Sequence, residues 1–439
     1  MTDLLAARIQ MAGSLGFHII FAVVGMVMPL FMVLAEWQWR RRGEARYLRL
    51  ARAWARGTAI MFAVGAVSGT VLSFQLGLLW PKFMAFAGPI IGFPFALEGF
   101  AFFLEAIFLG IYLYGWEKVS PRLHLFSGFM VWICGTLSGI FVVTVNAWMN
   151  TPAGFVLENG IPTAIDPIAA MLNPAAFTQC THMTLAAIQA LSFAVAGIHA
   201  WALLKRPRSE LHKAALGIVL PIAIFSALLQ PLVGDLSAKT VAKTQWVKLA
   251  AMEGQWETEK AAPLRIGGWP DESSETTPFA IGIPYLLSIL AYGDPNAEVR
   301  GLKEAPAEDR PPVAPVHLAF QVMVACGMTM ALTALMALIA WWRNNRKLPS
   351  RRWFLKLLVW NTPLGFIAIE AGWMVTEIGR QPWVIHGVMR TEDAVTEVGG
   401  LWLEIPLFSI LYLCLIVIAF RLLRRQVFQT LEDEARHVT

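Results

Sequence analysis

The chain has 439 residues, of which 57% are hydrophobic and 15% charged, with 35 Lys and Arg against 30 Asp and Glu for a formal net charge of +5. Soluble domains carry about 25% charged residues, and a mean hydropathy of +0.57 excludes a string of them, so the chain reads as an integral membrane protein. Its basic surplus is spread over the connections between apolar runs, which implies the lipid bilayer as a partner and no nucleic acid.

Four cysteines, Cys134, Cys180, Cys326 and Cys414, lie in or beside apolar runs without a CxxC or CxxCH pattern. They predict core residues, no disulfide framework and no covalent haem c. The first apolar run, from about Met11 to Ala35, is too long for a signal-peptide core and lacks a basic segment before it, so no cleavable signal is expected.

A membrane span needs about 20 mostly apolar residues. Nine stretches qualify: 11–36, 58–80, 90–115, 124–148, 183–204, 214–234, 316–342, 353–378 and 401–420. The connection 37–57 holds seven arginines, and those near 118–122, 205–213 and 343–356 are basic, as is the tail after 420, whereas 149–182 has no Lys or Arg. Basic connections face the cytoplasm. The expected fold is therefore an all-α integral membrane domain over 1–439, with nine transmembrane helices, the N-terminus outside and the C-terminus cytoplasmic. A long polar outer loop, 235–315, joins helices 6 and 7, and a connection of that length is usually functional or disordered. No internal repeat is visible.

Polar residues inside the spans carry the chemistry, because a charge at membrane depth costs a few kcal/mol and usually has a partner or a job. His18 sits roughly 10 Å down the first span at 1.5 Å per residue, as a core histidine or a ligand. Glu98 and Glu105 are seven residues apart on one face of the third span, which suits a proton relay, a cation path or two structural acids. His182 and Met323 lie at matched depth near the outer ends of the fifth and seventh spans, where a His/Met pair could clasp a haem iron. Glu370 lies about 25 Å above the inner end of the eighth span. Counting residues thus places His18, His182, Met323, Glu98 and Glu370 in the outer half of the membrane, as a redox or metal cluster with a carboxylate path toward it. His124, His199 and His212 fall at inner helix ends and predict caps or snorkelling side chains; His317 and His386 flank outer ends with no role assigned.

These residues, with the segments Asn146-Ala147-Trp148-Met149, Lys248 to Thr258 (including Glu253-Gly254-Gln255-Trp256-Glu257) and Glu370-Ala371-Gly372-Trp373 through Gly379-Arg380-Gln381-Pro382-Trp383, make the sequence resemble subunit I of the cytochrome bd-type quinol oxidases, of the short-loop type. The resemblance covers essentially the whole chain. It implies His182 and Met323 as axial ligands of a low-spin haem b. It implies His18 and Glu370 as ligands at a high-spin haem b and a haem d (or a third haem b), with the assignment between them open. Glu98 and Glu105 would carry protons to the oxygen site. Lys248 and Glu253 would bind and deprotonate quinol, and Arg380 and Trp383 would border the haems.

The implied activity is quinol oxidation outside and O2 reduction to water with cytoplasmic protons, generating proton motive force without pumping, in a bacterial cytoplasmic (inner) membrane. The implied partners are a second large membrane subunit and, as an option, a small single-span subunit. Two departures stand out: Gln321 where many relatives carry Arg two residues before the ligand Met, and Phe366 where relatives often carry Trp. Both suggest a divergent branch, with haem b in place of haem d as one outcome. Alternative readings are a haem-b electron-transfer subunit without O2 reduction, or a proton-coupled transporter using Glu98, Glu105 and Glu370, which would be colourless.

Overall fold

In the computed structural model, which describes residues 2–345 and 351–429, nine helical segments are long and apolar enough to cross a membrane. They are built from α1 (Asp3–Arg42), α2 (Ala45–Leu79), α3 (Pro81–Tyr114), α4 (Pro121–Asn150), α5 (Ala176–Lys205), α6 (Glu210–Thr244), α8 (Val313–Arg343), the pair α9 (Arg352–Asn361) and α10 (Leu364–Ile378), and α11 (Glu404–Leu423). A short helix, α7 (Trp246–Glu253), follows α6. Helices dominate because a spanning segment must satisfy its backbone internally. Arg346, Lys347 and Arg436, part of the basic pattern of the sequence, lie outside the described residues.

The ends follow ordinary capping chemistry. Thr2 accepts from the Leu5 amide at 3.3 Å and Ser120 from the Leu123 amide at 3.3 Å, while Gly43 closes α1 at φ 71°, a conformation that favours glycine. The eighth span is expected as one helix over 353–378 but is broken between α9 and α10, where Pro363 has no amide hydrogen to continue the ladder.

Close helix packing uses glycines, as expected where apolar lipid gives no hydrophobic drive. A Cβ at Gly197 would lie 1.9 Å from Thr362 Oγ1, and one at Gly365 would lie 2.3 Å from Ala190 Cα. Gly365→Leu should therefore push α10 off α5, at a cost of about 1–3 kcal/mol or more. The expected result is a lowered thermal midpoint of the detergent-solubilised protein; an unchanged midpoint would show that the helices separate freely.

The basic connections share one end of the bundle, where Arg46 pairs with Glu210 at 2.9 Å. His124, expected to cap or snorkel, is instead fully buried there, with Nδ1 2.9 Å from Glu36 Oε1 and Nε2 2.9 Å from the Tyr112 carbonyl. His199 and His212 are likewise buried, their Nδ1 atoms 2.9 Å apart.

The opposite end gathers the long connection, the turn after α10 and the N-terminus. Arg8 donates to Gln381 at 2.7 Å, Gln245 to the Asn150 carbonyl at 3.0 Å, and Arg390 to Asp309 at 2.5 Å. The connection 235–315 is ordered. Its first ten residues extend α6, and small antiparallel pairs join Glu259–Lys260 to Glu298–Val299 and Leu264–Ile266 to Ile281–Ile283. An apolar cluster of Ala250, Ala251 and Met252 from α7, Val316 and Ala319 from α8, and Ala371 and Val375 from α10 seats the connection on the bundle.

Candidate functional site

The candidate ligand atoms sit beside small residues. His18 packs against Gly69, where a Cβ would lie 3.0 Å from its ring, and Glu370 against Gly16, where a Cβ would lie 3.1 Å from Oε2. Gly16 is two positions from His18 on α1, so Glu370 meets α1 at the depth of His18 but about 200° around the helix from it. Met323 packs against the cluster under the connection, and its Sδ would be 3.1 Å from a Cβ at Gly372, two positions from Glu370. His182 faces α6, with Gly234 and Gln230 as neighbours.

Hydrogen bonding leaves a lone pair on His18. The Ser68 hydroxyl donates to the Gly65 carbonyl at 3.1 Å, so it accepts from His18 Nδ1–H at 2.9 Å. Nε2 is then the bare nitrogen, which is how an outer partner fixes a ligating histidine. At His182, the Gln230 amide nitrogen lies 3.3 Å from Nδ1 and 3.4 Å from Nε2, while Gln230 Oε1 is enclosed without a partner. The same Gln230 nitrogen donates to the His182 carbonyl at 3.3 Å, so this side chain lies along the edge of the His182 ring and holds it against α6. Glu370 Oε1 is also enclosed with no partner among the described residues, as are Nε and Nη1 of Arg380. Enclosed lone pairs and guanidinium donors without partners are costly unless another group meets them. Two imidazoles, a thioether, a carboxylate and a guanidinium with two unpartnered nitrogens among the described residues form a donor set that fits haem irons and a haem propionate.

Glu98 and Glu105 line the face of α3 toward α4. Ser138 donates to Glu98 at 3.2 Å, and Cβ atoms at Gly135 and Gly25 would lie 3.1 and 3.8 Å from Glu105 Oε1, which has no partner among the described residues. Glu105 is the more buried and lies further toward the basic end.

At the other end Lys248 is fully enclosed. It donates to Asn150 Oδ1 and to the Thr376 carbonyl at 3.3 Å. Asn146 donates to Glu377, which receives Arg380 at 2.5 Å. Burial and the neighbouring Arg380 hold Lys248 well below the ordinary lysine range, with Glu377 opposing. Burial also lowers Arg380, again opposed by Glu377. A cavity of about 240 Å3 opens beside this network, lined by Gln245, Lys248, Arg380, Trp383 and His386 among others. The Arg390 guanidinium covers the Trp383 ring at 4.8 Å from its centroid.

Glu253 does not share that cavity. Five residues after Lys248 on α7, it is turned about 140° around the helix; its Oε2 is enclosed without a partner, and burial pushes the carboxyl up to about 8, against the pull of Arg265. Next to it His317 clasps the connection, Nδ1 2.8 Å from the Met252 carbonyl and Nε2 3.0 Å from the Gly267 carbonyl. Gln321 fills the departure position by donating to the Arg265 carbonyl at 3.0 Å and accepting from the Gly267 amide at 3.1 Å. The sequence reading missed Asn150, Thr376, Glu377, Gln230 and Ser68 as partners. The spacing of Asn146 and Asn150, one helical turn apart at a span end, was a usable signal for two of the links.

A bundle of membrane helices that encloses imidazole, thioether and carboxylate groups able to ligate iron has, in class, the make-up of a membrane-embedded redox protein. The chain belongs to the family described as cytochrome bd terminal oxidase subunit I, whose model matches residues 6–431. It is 40% identical to a chain in the structure of bd oxidase from Geobacillus thermodenitrificans, with a TM-score of 0.91 over 98% of this chain and 99% of that one. It is 31% identical to the cytochrome bd ubiquinol oxidase subunit 1 of Bacillus subtilis (strain 168), covering 100% of this chain and 96% of the relative. It is also 35% identical, over 94% of each chain, to a Bacillus subtilis protein provisionally named as a cytochrome bd menaquinol oxidase subunit I. The chain is thus an oxidoreductase of membrane electron transport, a haem-bearing multi-pass subunit of the bacterial inner membrane whose family implies a complex with a subunit II.

Proposed function

We propose that this chain binds the haems of a quinol:oxygen oxidoreductase, oxidising membrane quinol at the end that carries the long connection and reducing O2 to water with protons drawn from the basic, cytoplasmic end. The observation that carries this reading is the course of α10. Its Glu370 packs against Gly16 of α1 at the depth of His18, its Gly372 touches Met323, and its Thr376, Glu377 and the following Arg380 organise Lys248.

His182 and Met323 would hold a low-spin haem b, and His18 and Glu370 a high-spin haem b and a haem d or third haem b. When bound, the haems supply one-electron carriers and an open iron position for O2. Ser68 and Gln230 orient the two imidazoles, and Arg380 presents two free donors to a propionate. Lys248 holds one quinol oxygen, and Glu253, on another face of α7 and uncharged in its buried position until near pH 8, takes the proton of the other hydroxyl as a general base. Glu105 passes protons from the basic end to Glu98, and Ser138 fixes the Glu98 carboxyl. Because quinol protons leave at one end and O2 protons enter from the other, charge separates without a pump. The working assembly includes a second large membrane subunit, with room for a small single-span one.

A reduced-minus-oxidised spectrum with haem extraction, joined to oxygen uptake on added quinol, tests this. Low-spin and high-spin haem with quinol-driven oxygen uptake is the expected result. Low-spin haem alone would favour electron transfer without O2 reduction, and a colourless complex would refute the reading.

A further inference from the structure

Quinol oxidation releases a proton from each of two hydroxyl groups, yet Glu253 stands away from the cavity that Lys248 enters. Resting on the quinol-oxidase reading, the question is which group of that cavity can take a proton. Its volume of about 240 Å3 lies below the ~300–1,000 Å3 of pockets for drug-sized ligands, which suits a single ring entering from the open side.

The carboxylates around the cavity are engaged. Asp309 pairs with Arg390 at 2.5 Å, Glu304 with Arg300 at 2.7 Å and with Thr258, and Glu377 with Arg380 at 2.5 Å and with Asn146. Lys248 and Arg380 are the cations facing it. His386 is the remaining nitrogen base. Its amide donates to the Met149 carbonyl at 2.9 Å, which fixes the residue against the end of α4, while its ring makes no side-chain hydrogen bond among the described residues.

We propose that His386 is a further catalytic residue of the quinol site, a neutral imidazole that accepts the proton of the quinol hydroxyl held by Lys248 and releases it through the open side of the cavity. In this step the O–H bond breaks, the proton joins a ring nitrogen of His386, and the bonding pair stays on the quinol oxygen. The two-electron oxidation to quinone that follows is the enzyme's own reaction and needs no further oxidant. Burial, then Lys248 and Arg380, hold His386 below the ordinary histidine range. It is therefore uncharged at neutral pH, and its cationic neighbours drive an acquired proton onward.

The test is made on the complete haem-loaded complex, with a short-chain water-soluble quinol as probe. In wild type, kcat/KM should fall at acid pH as His386 becomes protonated. In His386→Ala, kcat/KM should drop on the order of 100-fold, the typical worth of a general base, with haem content unchanged. The more acid limb, which His386 sets, should disappear while the rise toward about 8 that Glu253 sets remains, and added imidazole should restore the rate. If His386→Ala loses haem, His386→Gln carries the measurement, with the same drop and no rescue. An unchanged kcat/KM and pH profile in haem-complete variants would overturn the proposal, as would a drop that leaves the more acid, His386 limb in place and is not rescued. A haem-loaded wild-type complex that oxidises no quinol would instead overturn the reading on which it rests, and is distinguished by failing before any substitution is made.

Discussion

His182→Ala and Met323→Ala are each expected to abolish the low-spin haem signal while part of the high-spin absorbance remains. The two residues approach from different helices, so neither can substitute for the other. The Met323 sulfur is held against Gly372 and the apolar cluster under the connection, which positions it without a polar partner. His182 depends on Gln230, and loss of an outer partner typically costs 10–100-fold in affinity or activity. Removing the ligand itself should cost more, so quinol-driven turnover should fall roughly 100-fold or further, whereas Gln230→Leu should weaken the low-spin haem within that 10–100-fold range. The check is the reduced spectrum and haem content of each purified complex. A full low-spin signal in either alanine variant would remove that residue as a ligand.

The membrane fold was legible because apolar runs of span length admit few alternatives, and the basic connections that alternate in sequence do collect at one end. In depth along the helices, Glu370 meets α1 at the level of His18, and Met323 meets α10 two positions from Glu370. What escaped was whatever depends on direction around a helix. Lys248 and Glu253 look like one pair in sequence, but five residues turn them to different faces of α7, so only Lys248 reaches the cavity. His317 and His386 carried no local signal. Their partners are the carbonyls of Met252, Gly267 and, for the His386 amide, Met149, and backbone carbonyls leave no trace in composition. His124, His199 and His212 misled for the related reason that a polar residue at a helix end reads as exposed unless its distant partner is known. The break before Pro363 was readable from the proline, yet the hydropathy of the run concealed it.

Glu253→Gln is the second substitution with a large expected effect, and two readouts move in opposite directions. As a base, Glu253 works only when deprotonated, and burial sets its carboxyl at about 8. Wild-type kcat/KM should therefore rise with pH toward a plateau above about 8, and the variant should lose the rise near 8 and keep only the more acid one that His386 sets. The loss at the plateau should be about 100-fold or more, within the 10²–10⁴ range of general-base catalysis, with haem content unchanged. Stability behaves oppositely. A carboxyl whose folded value lies above its unfolded value favours the fold while protonated. That contribution is complete below the ordinary glutamate range and is lost as pH rises through about 8, because the charged form is left in an enclosed site whose Oε2 has no partner. Glutamine cannot ionise, so thermal midpoints of variant and wild type should be similar below the ordinary glutamate range, diverge in favour of the variant as pH rises from there to about 8, and keep that gap at higher pH. Normal turnover in Glu253→Gln would take Glu253 out of the quinol chemistry. A slow variant whose thermal midpoint fell with pH as steeply as wild type would show that some other group carries the alkaline loss of stability.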